Sequence, residues 1–100
     1  MVVVERQVQH VRSGKWADLE AFDKKMSKIE SRLGWPAKKR YRAFSGHTFD
    51  TLIVERQWES LAAMEAAEEK LFADPEWQAL SPEGDAVLES LQLELYWPLP

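Results

Sequence analysis

Few side chains in this 100-residue chain have chemistry of their own. It contains no cysteine, which excludes thiol catalysis, thiolate metal sites and disulfides. His10 and His47 are its only histidines, one on a strand and one on a turn. Neither has a second ligand at metal spacing, so both read as strand-end residues, and no metal is expected. Four scattered glycines make no phosphate-cradling loop. What remains is arginine and aromatic rings. Arg6 and Arg56 occupy matching places in a repeated tetrapeptide, Val4-Glu5-Arg6-Gln7 and Val54-Glu55-Arg56-Gln57. Strict strand alternation puts both with Val4, Val8, Val54 and Trp58, on the face that helices would cover. Two cations there need neutralising, either by Asp23, Glu30, Glu65 or Glu68 of the helices or by an anionic ligand such as a carboxylate, phenolate or enolate.

Five tryptophans exceed the core needs of a domain this small and point to an aromatic-walled cavity, a subunit interface, or both. Trp16, Trp58, Trp77 and Phe22, with Phe72 beside them, are the expected walls of a cleft between sheet and helices. Arg6, Arg56 and these aromatic residues are therefore the candidate ligand-binding set. The same spacing also suits plain core. No catalytic residue declares itself; His10 or Glu55 is the available general base only if geometry brings it to the cleft.

The elements that position these residues follow from periodicity. Residues 2–11 alternate as a half-buried strand, and Ser13-Gly14 breaks it. Trp16, Leu19, Phe22, Met26, Ile29 and Leu33 form one helical stripe that Gly34 and Pro36 end. Residues 37–46 read as a basic second strand and 51–58 as a third. Ser60 caps a second helix. Asp74-Pro75 starts a short third helix, followed by a loop over Ser81 to Gly84. Residues 87–97 alternate as a last strand. The order is βαββαβ, a single ferredoxin-like α+β domain over 1–100, with helices on one face of a four-stranded antiparallel sheet. The opposite face is expected to carry Glu5, Gln7, Gln9, Glu55, Gln57 and Glu94, mixed with Val3, Ile53 and Tyr96. Those apolar residues suit coverage by a second copy, so a homodimer through this polar face is expected.

Composition narrows the partners. A net charge of −4 argues against nucleic acid, as does a third strand with Glu55 at its middle. No apolar run is long enough to span a membrane. The opening strand lacks a signal-peptide layout, and a cytoplasmic location is the default expectation. The basic cluster Lys38 to Arg42 is expected to meet Glu5, Glu55 and Glu94 of a partner sheet.

Val4-Glu5-Arg6-Gln7-Val8 with Ser13-Gly14-Lys15 resembles the first strand and turn of NIPSNAP-like proteins in the dimeric α+β barrel superfamily. Gln57-Trp58-Glu59-Ser60-Leu61-Ala62 and Leu71-Phe72-Ala73-Asp74-Pro75-Glu76-Trp77 resemble NIPSNAP-like and antibiotic-biosynthesis-monooxygenase-like members. The resemblance implies a dimeric α+β barrel without assigned cofactor. Haem-degrading relatives carry an iron-ligating histidine on the helix after the third strand, and Ser60 to Leu80 contains none. Two readings follow. One is a homodimer binding a small hydrophobic or anionic aromatic molecule, extending to a cofactor-independent monooxygenase with Trp58 and an arginine holding the substrate. The other is a non-catalytic binding or assembly module.

Overall fold

In a computed structural model describing residues 1–100, alternating valines open β1 (Val3–Val11), and the Trp16-to-Ile29 stripe forms α1 (Trp16–Arg32). Gly34 ends that helix from the left-handed region, at φ 77°, where a side chain would be strained. Two more strands follow, β2 (Lys38–Arg42) and β3 (Thr51–Trp58), then α2 (Leu61–Phe72), α3 (Pro75–Val87) and β4 (Leu88–Tyr96). The four strands form one antiparallel sheet in the order β2-β3-β1-β4. This is the ferredoxin-like α+β arrangement.

Both expected caps are present. The Ser60 hydroxyl accepts from the Ala63 N–H at 3.0 Å, and the Asp74 carboxylate accepts from the Trp77 N–H at 3.0 Å. Pro75 stands at the first position of α3, where its missing N–H breaks no bond. Two boundaries differ from the sequence reading. The second strand stops at Arg42, short of residue 46. The expected loop over Ser81 to Gly84 is helix, because α3 continues through Pro82 to Val87. Packing accounts for the second difference. Gly84 lies so close to α1 that an added Cβ would stand 2.9 Å from the Phe22 ring, and this contact outweighs local turn preference.

The core lies between the helices and the sheet. Leu19 of α1 meets Val11, Leu52, Val54 and Val87 at one end, and Ile29 meets Leu71 and Leu80 between the helices. Val3, Trp58 and Met64 close the other end. On β3 the inward residues are the expected Leu52, Val54, Arg56 and Trp58. On β1 the expected parity is reversed. Val3 is a core residue, and Glu5, Gln7 and Gln9 stand opposite Arg56, Val54 and Leu52, on the helix side. Val4, Arg6, Val8 and His10 therefore face away from the helices. A one-residue change of phase sends every side chain to the other face.

Replacing Ser60 by Ala should lower stability by about 1 kcal/mol in urea melts, the usual loss for an N-cap. Asp74→Ala should lower it further, because Asp74 also accepts Arg32 Nη2 at 2.8 Å.

A cleft between the sheet and the helices

A cavity of about 500 Å³ opens between the inner sheet face and the three helices. Its floor is the polar row of β1. Gln9 donates to Gln7 at 2.8 Å, and Gln7 donates to Glu5 at 2.8 Å. The other oxygen of Glu5 accepts from the Trp58 indole N–H at 2.8 Å. Glu5 is only 4% exposed, yet both its oxygens are hydrogen-bonded, which is what permits a carboxylate there. The walls are apolar: Phe22 and Met26 from α1, Trp35 after it, Leu71 from α2 and Trp77 from α3. Leu91 and Leu93 of β4 form the remaining side and stay about half exposed.

Of the candidate set, the cleft gathers Arg56, Trp77 and Phe22, with Trp58 beneath them holding Glu5. Trp16 lies elsewhere. Its ring stacks under the Arg42 guanidinium at 4.0 Å and its N–H donates to Asp50, so it anchors the turn before β3. Arg6 lies on the opposite sheet face, which corrects the expectation that it shares a side with Arg56. There it forms a 2.8 Å ion pair with Glu55 and sits 5.4 Å from the centre of the Tyr96 ring. The assignment failed because β1 has valines in both phases, at Val3 and Val11 as well as Val4 and Val8.

Arg56 is not free to meet an anion. Its side chain is 2% exposed; Nη2 lies 3.0 Å from Glu30 and Nε donates to the Pro36 carbonyl at 2.9 Å. Lys38 shares that Glu30 at 3.0 Å and reaches Asp23 at 2.7 Å. Arg40 joins the same network through Glu20 and Asp23. Lys38 and Arg40 of the basic second strand thus find carboxylates on α1 of their own chain, where the sequence reading expects the carboxylates of a partner's sheet. The Arg56 guanidinium also stands 4.9 Å from the centre of Trp35, whose ring meets Trp58 edge-on at 5.1 Å. The Trp35 indole N–H is buried without a hydrogen-bond partner.

The NIPSNAP family model matches residues 5–100. The chain belongs to the NIPSNAP family. A NIPSNAP family protein from Agrobacterium tumefaciens superimposes with a TM-score of 0.85 at 22% identity, covering 99% of this chain and 94% of that one. An uncharacterised NIPSNAP-like domain protein from Burkholderia xenovorans gives 0.83 at 16% identity, covering 98% and 85%. SnoaB, a cofactor-independent oxygenase from Streptomyces nogalater, gives 0.73 at 13% identity, covering 99% and 94%. No curated protein matches the chain. No helix is long and apolar enough to cross a membrane.

In this NIPSNAP chain, the group that sequence reasoning missed as a site residue is Glu68. It projects from α2 to the cleft and is held above the usual carboxylate range, first by desolvation and then by the negative charges of Glu5 and Glu65. A signal for it exists in the sequence. Glu68 falls four residues after Met64 and three before Leu71, on the buried stripe of its helix. Glu5 was missed as a cleft residue through the parity error alone.

Two outcomes follow. Arg56→Ala leaves Glu30 with Lys38 alone and strips the Pro36 carbonyl of its donor, and should cost about 2–3 kcal/mol in denaturant melts, whereas Arg6→Ala should cost at most about 1 kcal/mol. For Glu68, folding favours the protonated form, so its contribution is present at low pH and fades as pH rises through the ordinary carboxylate range to its folded value. Glu68→Gln should accordingly melt higher than the parent at about pH 7, and the gap should close towards about pH 4.

Proposed function

We propose that the protein is a homodimer that binds a small, largely aromatic molecule in the cleft between sheet and helices. The observation that carries this reading is the cleft itself. An opening of about 500 Å³ with aromatic walls and a few fixed polar groups has the size and composition of a small-molecule site. The polar floor is tied internally, so it stays open rather than collapsing onto the walls. Arg56, Trp58, Trp77 and Phe22 keep a role here, Arg56 by holding Trp35 in place and Trp58 by holding Glu5. The full engagement of Arg56 and Lys38 weighs against an anionic ligand.

The outer sheet face suits a second copy. Helices cover only the other side, and Tyr41, beside Ile53, and Tyr96, beside Val4, stand about half exposed. Two of its charges are already paired within the chain, Arg6 with Glu55, and the Tyr96 hydroxyl donates to Glu94, which lowers the cost of covering them. A cytoplasmic setting accords with the lack of cysteine.

Cofactor-independent oxygenation of the bound molecule is a second reading, favoured by Glu68. A desolvated carboxylate facing an apolar cleft is suited to take a proton from an electron-rich substrate. The likeness to SnoaB supplies the reaction class. One oxygenation that needs no cofactor would take a methylene of the bound molecule to a carbonyl. Dioxygen accepts its four electrons, one oxygen atom entering the product and the other leaving as water. An oxygen electrode with candidate aromatic compounds tests it: no uptake above the uncatalysed rate leaves binding alone.

By sedimentation velocity at micromolar concentration the protein should run at about twice 11.6 kDa, and Ile53→Asp should give a folded monomer. A parent protein that is monomeric throughout would sink the dimer. Aromatic ligands should quench tryptophan fluorescence saturably, and Trp77→Ala should weaken their binding about tenfold.

A further inference from the structure

The charges around the cleft do not balance. The only bases on its surface, Lys38 and Arg56, are paired with Asp23 and Glu30. Glu5, Glu68, Asp85 and Glu89 also reach the cleft, and none of them lies in an ion pair. Asp85 and Glu89 sit exposed at the rim, Glu68 lies partly buried, and Glu5 is buried on the floor. The negative potential therefore extends from the mouth into an aromatic interior, where weak screening strengthens it.

From this asymmetry we propose that the ligand is a small apolar amine carried as its ammonium ion, with its ring among Phe22, Trp35 and Trp77 and its charge at Glu68. The proposal rests on the cleft-binding reading and names the ligand's class. An ammonium ion would relieve the repulsion among Glu68, Glu5 and Glu65 and restore to Glu68 the polar partner that burial removes. Trp77, which no cation of the chain covers, adds a ring face for the charge. A carboxylate or phosphate would meet the same field as repulsion and would have to displace Glu30 from Arg56. A metal ion fits less well, since nowhere do three or more acids or histidines converge as ligands.

Titration calorimetry on the 100-residue protein with three matched probes tests this: 2-(2-naphthyl)ethylamine, the corresponding alcohol and 2-naphthylacetate. The amine should bind at least about tenfold more tightly than the alcohol, with the carboxylate weakest. Glu68→Gln should remove most of the amine's advantage over the alcohol, and high salt should act in the same direction. Equal affinity for amine and alcohol, or an amine affinity indifferent to Glu68→Gln, overturns the proposal. If the alcohol still binds and Trp77→Ala weakens it, the cleft reading survives that failure. If none of the three binds, both readings fall.

Discussion

The buried pairing of Arg56 with Glu30 is the constraint on which the rest of the structure depends. A guanidinium with 2% of its side chain exposed is tolerated only where a carboxylate and further polar or aromatic groups answer it. The answers come from three parts of the chain: the carboxylate of α1, the Pro36 carbonyl in the segment entering β2, and the ring of Trp35. One side chain on β3 thereby fixes the seat of α1, the path into the edge strand and an aromatic wall of the cleft. Lys38 and Arg40 extend the same ionic row outward along β2 to Asp23 and Glu20. Such a network contributes little net stability over an apolar core, but it rejects any register in which a charge is left alone.

The repeated tetrapeptide shows how much of this the sequence carried. Its two copies are neighbours in the sheet and pair antiparallel with each other, Val4 opposite Gln57, Glu5 opposite Arg56, Arg6 opposite Glu55 and Gln7 opposite Val54. Each glutamate therefore faces an arginine, one pair inside and one outside. Identical letters do not mean equivalent places. Inward residues are odd-numbered on β1 and even-numbered on β3, so matching positions in the two copies point to opposite faces. On β3 the phase was legible because Leu52, Val54 and Trp58 agree. On β1 the valines conflict, and the deciding facts were the indole of Trp58 and the guanidinium of Arg56, both of which come from the other half of the chain.

Element order, caps and the helix stops were legible because they rest on local chemistry: Ser60 and Asp74 at N-caps, Gly34 at a left-handed stop, Pro75 in a first turn. The helical course of Ser81 to Gly84 was not, since it depends on Phe22 lying against a glycine sixty-two positions away in sequence. The site was half legible for the same reason. The aromatic stripe predicted a cleft with Phe22, Trp58 and Trp77 around it. Its acids were hidden, Glu5 behind a parity error and Glu68 within a stripe that composition marks as core.

Why the cleft stays open follows from the same arrangement. The apolar inner face of β4, with Leu91, Leu93 and Leu95, remains about half exposed, while Leu52 and Val54 of β3 are buried. Between them runs β1, the boundary between a packed region and an uncovered one. Had its inward residues been leucines, the helices would gain by settling onto them and the cavity would close. Glu5, Gln7 and Gln9 remove that gain. Bonded to one another and to Trp58, they form a floor whose polar groups are largely satisfied and which offers helices no apolar surface to bury. The misread strand is thus the one that makes the site. Its polar phase points inward, and the space above it stays open.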